Sequence, residues 1–355
     1  MLFTRVATSE KSPEILSSGA GLGAAVAAET HGELGEVEGQ VRARGYWEQV
    51  WRRFRRDKAA IVGGIFIIFL FFLSTIGGPL AVHFLGHGPN QLYFTAVDPN
   101  TQLPAGNWAH VKDISTGNAL FILGADGTLG RDEFLRLIYG ARTSLEVAVG
   151  ATILGMMIGI LLGSIAGYYK GWVDTIVSRL TEIVMAFPVL LFVIALAATI
   201  GRRLDSITFG FLEPGVVTLI LVIGIFGWFY PARIIRAQVL SLREKEFIEA
   251  ARMVGASDLK IIRSHLLPHL VGPIIVYSTL VVAQNILLEA GLSFLSLGIK
   301  DPTASWGNML QDATNFYTVR PWLMVWPGLA VLLATLAFNL LGDGLRDAFD
   351  PRGTR

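Results

Sequence analysis

Few side chains in this 355-residue chain could take part in catalysis or metal binding. There are no cysteines, so disulfides, thiolate metal sites and cysteine nucleophiles are excluded. His265 and His269 lie four residues apart, the spacing of two zinc ligands on one helix face, and a membrane zinc protease is therefore one alternative. Leu266 stands where the zincin motif has its glutamate, and Pro268 interrupts the helix, so the pattern argues against this enzyme. We predict no catalytic residue, metal site or bound cofactor in this chain.

The sequence also lacks the motifs of phosphate chemistry. No Gly-x4-Gly-Lys-Ser/Thr loop occurs, so the chain lacks the phosphate cradle of an ATPase, and any ATP must be hydrolysed by a partner. The formal net charge of +1 argues against a nucleic acid partner, because neutralising phosphates requires a concentrated basic surface. The chain is predicted not to be an enzyme.

The most informative polar stretch covers residues 244–268. Charged and apolar residues alternate in it at helical spacing. One face is predicted to carry the apolar residues, which are Phe247, Ala251 and Val254. Gly255 is predicted to end this helix in a left-handed turn, and Ser257 to cap a second short helix that Pro268 stops. The stretch therefore predicts two short helices joined by a glycine corner.

The elements that must position this stretch are membrane-spanning helices. The composition, 52% hydrophobic and 16% charged, is too apolar for an ordinary soluble protein. A bilayer core of about 30 Å requires roughly 20 apolar residues in a helix. Six windows free of Asp, Glu, Lys and Arg meet this length, and they are 59–82, 147–169, 183–200, 214–232, 270–288 and 321–342. A seventh apolar stretch, 290–299, lies between Glu289 and Lys300 and is predicted to be a short interfacial or re-entrant element.

Prolines and glycines inside these windows predict a packed bundle. The prolines that should kink their helices are Pro188, Pro273 and Pro327. The small residues repeated every four positions along the second window are Gly155, Gly159 and Gly163. This spacing lets two helix backbones approach closely and predicts a packing seam.

The distribution of positive charge predicts the orientation of the chain. Of the 29 Lys and Arg residues, 21 fall on the side of the amino terminus, so both termini are predicted to be cytoplasmic. Residues 1–40 contain Gly/Ala-rich runs without apolar periodicity and are predicted to be a disordered tail. The predicted organisation is a cytoplasmic tail (1–58), a first span (59–82), an external loop forming a small cap (83–139), a transmembrane core (140–343) and a cytoplasmic end (344–355).

The 244–268 stretch resembles the EAA loop of importer-type ABC permeases. That motif is Glu-Ala-Ala, three residues, Gly, nine residues, then Ile-x-Leu-Pro. The matching positions are Glu249, Ala250, Ala251, Gly255, Leu267 and Pro268. His265 replaces the first isoleucine of the final group, as it does in the peptide-importer branch of the family.

The resemblance covers the chain from about Arg42 to its end. The segments 130–144, 166–169, 302–310 and 327–351 are similar to the C-type permease of dipeptide and oligopeptide importers. The resemblance implies an all-α polytopic bundle of six transmembrane helices with the type I ABC importer permease fold. It also implies a multi-pass protein of the bacterial cytoplasmic (inner) membrane.

The partners implied by the resemblance are a second homologous permease, two cytoplasmic ATPase domains that bind ATP and Mg²⁺, and an external substrate-binding protein. The residues expected to couple the chain to the ATPases are Glu249, Ala250, Ala251, Gly255, Ser257, His265, Leu267 and Pro268. The expected cargo is a dipeptide, an oligopeptide or a related solute.

Two alternatives remain at this stage. The 244–268 stretch could be an amphipathic helix lying on the inner leaflet, which its mixed charge allows. The chain could instead be an ion-coupled secondary transporter, although such proteins commonly place ionisable residues inside their spans and the six windows contain none.

Overall fold

The computed structural model of the protein describes residues 45–113, 117–127, 129–205 and 215–350. The chain divides into two compact units, 1–49 and 50–355. Of the first unit the structure describes residues 45–49, which begin the first helix. The predicted tail, 1–40, lies outside the described residues.

Helices form most of the described chain. In chain order they are α1 (Tyr46–Phe54), α2 (Lys58–Phe72), α3 (Gly78–Leu85), α4 (Glu133–Tyr169), α5 (Gly171–Ala186), α6 (Val189–Asp205), α7 (Val216–Phe226), α8 (Phe229–Arg243), α9 (Glu246–Met253), α10 (Asp258–Ile261), α11 (Leu267–Phe294), α12 (Trp306–Ala313) and α13 (Trp322–Phe349). Two π-helical turns, Leu73–Gly77 and Ile262–Leu266, connect α2 to α3 and α10 to α11.

Four continuous helical segments are long and apolar enough to cross a bilayer. They are Lys58–Leu85, Glu133–Tyr169, Asp258–Phe294 and Trp322–Phe349. Two bent pairs, α5 with α6 (85°) and α7 with α8 (41°), raise the number of spans to six if each pair crosses once. The windows 59–82, 147–169, 270–288 and 321–342 fall on the four continuous segments, which confirms them as candidate spans. The other two windows, 183–200 and 214–232, cover the breaks of the two bent pairs, and residue 214 lies outside the described residues. Pro188 lies at the sharper bend, as its missing backbone donor predicts.

The glycine seam of α4 is confirmed. A Cβ on Gly159 would lie 2.5 Å from Pro231 Cβ, and one on Gly163 would lie 2.5 Å from the Ala232 carbonyl oxygen. A Cβ on Gly155 would make a less severe contact, 3.2 Å from the Gly224 carbonyl oxygen, and one on Gly167 would lie 2.8 Å from Val239 Cβ. The seam therefore brings α4 against α7 and α8 at distances that leave no room for a side chain.

A small cap lies between α3 and α4. Strand β1 (Ala109–Asp113) pairs antiparallel with β2 (Gly117–Phe121), and β3 (Ala125–Asp126) pairs with β4 (Arg131–Asp132). Tyr93 and Phe121 are buried in its core. The fold is thus a helical bundle, as expected, with two short β pairs that the sequence analysis did not predict.

Helix α4 begins at Glu133, inside the predicted external loop 83–139, because Asp132 caps it, accepting hydrogen bonds from the Phe134 and Leu135 amides. Two predicted helix boundaries were wrong. The 290–299 element was expected to be separate, but α11 continues through Glu289 to Phe294. Glu289 is fully buried and accepts a hydrogen bond from Ser293 Oγ at 2.8 Å, so this carboxylate does not mark a helix end.

The second wrong boundary is Pro268, which does not stop a helix. It lies in the first turn of α11, where a missing amide donor costs little, and the π-helical turn before it keeps the helical path continuous from Asp258. The second short helix of the 244–268 segment is therefore the start of a long helix.

Candidate functional site

The inner face of the 244–268 segment is held by an apolar cluster. Ile248 of α9 and Ile261 of α10 are fully buried, together with Leu266. They pack with Tyr168 of α4 and with residues of α8 and α11. The segment is therefore a packed part of the bundle end and not a loose loop.

The outer face of the segment carries exposed apolar side chains. Met253 is 82% exposed, Val254 89% and Leu259 74%. Glu249 and Ala250 are also exposed on α9. Exposed apolar side chains grouped around one corner are typical of a surface that binds a protein or a membrane.

The predicted apolar face of α9 was assigned incorrectly. Ile248 is its buried residue and Ala251 is half-buried, whereas Val254 points to solvent. Phe247 is partly exposed and stacks on the His269 ring, with centroids 4.9 Å apart. A helix of eight residues has too few turns for its periodicity to identify the buried face.

The predicted left-handed corner is present at Gly255. Its φ is +83°, and the Ala256 amide donates to the Ala251 carbonyl (3.0 Å) while the Gly255 amide donates to the Arg252 carbonyl (2.9 Å). This pair of hydrogen bonds is the Schellman arrangement, which closes a helix and reverses the chain direction.

The remaining predicted residues lie on the second arm of the corner. Ser257 occupies the N-cap position of α10, but its side chain makes no capping hydrogen bond. His265 lies in the π-helical turn, and its carbonyl accepts a hydrogen bond from His269 Nδ1 at 2.7 Å. Leu267 packs at the edge of the apolar cluster, and Pro268 is exposed. His265 and His269 thus interact through the backbone, and no group of three potential metal ligands occurs among the described residues.

Tyr168 is the residue of this site that the sequence analysis missed. Its hydroxyl donates to Asp258 Oδ1 at 2.7 Å, and its ring faces the guanidinium groups of Arg243 and Arg252. The Ala-Gly-Tyr-Tyr segment was noted for its resemblance, but nothing in the local pattern showed that Tyr168 would reach a residue 90 positions away.

Ion pairs surround the same end of the bundle. Arg236 of α8 binds Asp174 of α5 through two nitrogen–oxygen pairs, one of them 2.7 Å long. Lys170 Nζ lies 3.0 Å from Glu244 Oε1, and this hydrogen bond lowers the pKa of Glu244. These contacts link the helices that flank the segment.

An aspartate–arginine cluster, in which Asp126 and both arginines are buried, lies at the other end of α4. Its members are Asp126, Arg131, Arg136, Asp301 and Asp312. Arg131 Nε lies 2.7 Å from Asp126 Oδ2, and Arg131 Nη1 lies 2.7 Å from Asp301 Oδ1. Burial, followed by the negative charges of Asp301 and Asp126, raises the pKa of Asp312 to about 6. The cluster joins the cap to α4, to α12 and to the turn after α11.

An apolar cavity of about 230 Å³ lies where the two broken spans bend. Its aromatic lining residues are Phe187, Phe192, Phe226 and Phe229. Phe187 lies in the break between α5 and α6, and Phe226 and Phe229 flank the break between α7 and α8.

The known proteins that this chain resembles in sequence are membrane components of transport systems. Residues 159–355 match the family described as binding-protein-dependent transport system inner membrane component, and residues 45–104 match the N-terminal TM domain of oligopeptide transport permease C. The glutathione transport system permease protein GsiD of Pectobacterium atrosepticum is 35% identical over 86% of this chain and 91% of its own length. The dipeptide transport system permease protein DppC of Alkalihalophilus pseudofirmus is 37% identical over 89% of this chain and 93% of its own. A solved structure of the MetNI methionine ABC transporter in an inward-facing conformation overlaps with a TM-score of 0.49 at 16% identity, covering 61% of this chain and 97% of that one.

Proposed function

Because the chain belongs to the family of binding-protein-dependent transport system inner membrane components, we propose that it forms half of the path through which an ABC importer carries a dipeptide, an oligopeptide or a related solute such as glutathione. The chain itself is a membrane permease subunit and not an enzyme. ATP and Mg²⁺ would be bound by its ATPase partners. The cargo class rests on the names of relatives that match over most of their length.

The observation that carries the proposal is the exposed corner of the 244–268 segment, which we call the coupling loop. Its inner face is packed on the bundle and its outer face presents Met253, Val254 and Leu259 to solvent. Within this loop the proposed coupling residues keep separate roles. Glu249 and Ala250 lie on the exposed surface of α9, Gly255 forms the corner, and Ala251, Ser257, His265, Leu267 and Pro268 shape or support its two arms.

The proposed assembly contains a second homologous permease, two cytoplasmic ATPase domains and an external substrate-binding protein. Closure of the ATPases on ATP would move the coupling loops and switch the paired permeases between two states. We propose that the chain lies in the bacterial cytoplasmic membrane with both termini and the coupling loop in the cytoplasm, which the excess of Lys and Arg on that side supports.

The ion-coupled alternative is not favoured. The sequence argument against it counted no ionisable residue within the six windows, yet the structure places Glu289 inside the continuous helix α11. Glu289 is fully buried and hydrogen bonded to Ser293, and family membership assigns the chain to importers whose energy comes from ATP.

Single-cysteine variants test the proposal, because the natural chain contains no cysteine. In the chain produced without its ATPase partners, Met253→Cys should react with a membrane-impermeant thiol reagent only after permeabilisation, and in the assembled importer a bifunctional thiol–amine reagent should cross-link it to the ATPase subunit. Thr101→Cys, on the exposed surface of the cap, is the matched control and should react in intact cells without forming that cross-link. Labelling of Met253→Cys from outside would refute the orientation, and failure to cross-link would refute docking at this corner.

A further inference from the structure

We propose that Tyr168 is the positioning residue that fixes the coupling loop to α4, so that movement at the loop is transmitted along the long helix of the bundle. The inference rests on the proposed docking of the coupling loop. It assigns to one side chain the link between that loop and the membrane-spanning core.

The hydroxyl of Tyr168 makes a directional contact with the arm of the loop beyond the corner. It donates to Asp258 Oδ1 at 2.7 Å, and Asp258 is the first residue of α10. Tyr168 lies one residue before the end of α4 and is 3% exposed. Asp258 is exposed, so the hydrogen bond joins a buried donor to a charged acceptor at the surface.

The ring of Tyr168 contacts the arm before the corner and the end of α8. The Arg252 guanidinium carbon lies 5.3 Å from the ring centroid, and that of Arg243 lies 5.7 Å from it. Arg243 Nη1 also donates to the Tyr168 carbonyl at 2.5 Å. One tyrosine thus meets both arms of the glycine corner and the helix that leads into it.

These contacts differ in kind from the apolar packing beside them. Ile248 and Ile261 bury apolar surface against the bundle, and such packing is non-directional. A hydrogen bond and two cation–π contacts fix the rotation of the loop about α4 as well as its distance. A force applied to the exposed corner would therefore turn the end of α4. With apolar packing alone, the loop could slide over α4 without turning it.

Helix α4 is suited to carry that movement to the other end of the molecule. Its 37 residues correspond to about 55 Å at 1.5 Å per residue. The glycine seam holds it against α7 and α8 along the way. At its far end Arg136 enters the aspartate–arginine cluster of the cap. The tyrosine and this cluster therefore occupy opposite ends of a single rigid element.

The test uses the assembled importer with three variants of this chain. Tyr168→Phe removes the hydroxyl and keeps the ring, whereas Tyr168→Leu removes both. Tyr169→Phe is the matched control, since it makes the same chemical change at an adjacent tyrosine that is 49% exposed. Two quantities are measured, namely hydrogen exchange of residues 246–261 and stimulation of ATP hydrolysis by loaded binding protein.

We expect exchange in 246–261 to become roughly threefold faster in Tyr168→Phe and roughly tenfold faster in Tyr168→Leu, in line with the loss of one hydrogen bond to a charged acceptor and then of the ring contacts. Stimulated ATP hydrolysis and uptake should fall in the same order. Tyr169→Phe should match the natural chain in both measurements. Unchanged exchange in both Tyr168 variants, or faster exchange with normal stimulation, would overturn the inference.

Changes at the acceptor distinguish positioning from general stability. Asp258→Asn retains a carbonyl acceptor and should keep most of the coupling, whereas Asp258→Ala should resemble Tyr168→Phe. The double variant Tyr168→Phe with Asp258→Ala should be no worse than either single change. Additive losses would overturn the inference. A missing cross-link from Met253→Cys would refute docking instead, and the exchange measurement would still decide whether Tyr168 holds the loop.

Discussion

At Gly255 the backbone conformation alone determines the amino acid. Its φ of +83° lies in the left-handed region, and no atom lies within 4 Å of the position that a Cβ would take. A side chain would therefore be strained by the backbone but would not collide with a neighbour. A substitution at Gly255 therefore changes the backbone geometry of the corner without disturbing the packing around it.

Replacing Gly255 with valine should uncouple transport before it unfolds the protein. The strain should cost about 1 kcal/mol or more, because a β-branched residue is strongly disfavoured at positive φ. We expect the Gly255→Val protein to accumulate in the membrane while uptake and stimulated ATP hydrolysis fall. Both are measured in the assembled importer.

Gly86→Val is the matched control for this change. Gly86 has a φ of +77°, also has no atom within 4 Å of its Cβ position, and ends α3 beside the cap. The Gly86→Val protein should lose a similar free energy of unfolding, but its uptake and stimulated ATP hydrolysis should stay at the level of the natural chain. If the two variants transported equally well, the corner would have no special part in coupling.

Among the elements, α4 organises the bundle through its small residues. Its glycines allow backbone-to-backbone contact with α7 and α8, which places the charged end of α8 beside the coupling loop. The close approach is therefore a condition for the contacts of Arg236 and Arg243 with neighbouring helices.

Gly163→Ala should destabilise the bundle. The added Cβ would lie 2.5 Å from the Ala232 carbonyl oxygen and 3.1 Å from the Arg236 amide nitrogen, so α4 and α8 would have to separate. Overpacking of this kind costs about 1–3 kcal/mol. The expected result is a lower unfolding temperature of the purified protein in detergent.

Gly291→Ala is the control for that experiment. Gly291 is also inside a long helix, but no atom lies within 4 Å of its Cβ position. This change should leave the unfolding temperature unchanged or raise it, since alanine favours the helix. Equal losses from both variants would show that the seam does not control stability.

On the scale of the whole molecule, the cap is joined to the bundle by buried polar contacts. His87 Nε2 lies 2.8 Å from Asp132 Oδ2, and both side chains are almost completely buried. Asp132 also caps α4. One carboxylate therefore connects the end of the first span, the cap and the start of the longest helix.

The cap should open more readily as the pH rises above about 6.5. Burial alone would lower the pKa of His87, but its hydrogen bonds to Asp132 and to the Leu85 carbonyl raise the pKa above the ordinary value of 6.5. The stabilisation is fully present below 6.5 and is lost as the pH rises through the raised pKa. The pKa of Asp312 is also raised, to about 6. Its contribution to the stability of the cap is lost at lower pH than that of His87, because it disappears as the pH rises toward 6.

Hydrogen exchange of strands β1 and β2, corrected for intrinsic rates, measures this opening. We expect protection to decrease between pH 6.5 and pH 9 in the natural chain and to be nearly independent of pH in His87→Gln. His110→Gln, which changes a histidine on the exposed side of β1, should keep the natural slope. A slope that survived in His87→Gln would assign the effect to another group.

The sequence by itself determined those features that depend on local requirements. A bilayer demands a fixed length of apolar chain, so four of the six windows found the continuous candidate spans. A left-handed turn favours glycine, so Gly255 was identified from its position alone. Small residues repeated every four positions predicted the seam of α4 because only such residues allow close approach. The motif spacing likewise identified the family.

Only the tertiary structure decided which polar residues continue a helix and which side chains meet. Glu289 resembled a boundary in the sequence, but burial and a hydrogen bond to Ser293 keep it inside α11. Ile248, and not Val254, became the buried residue of α9, since the packing of the bundle determines which face of a short helix is covered. Tyr168 and Asp258 are 90 residues apart, and their contact depends on the path of the five helices α5 to α9 between them. Pairings of this kind arise from long-range packing, which local patterns in a single sequence do not encode.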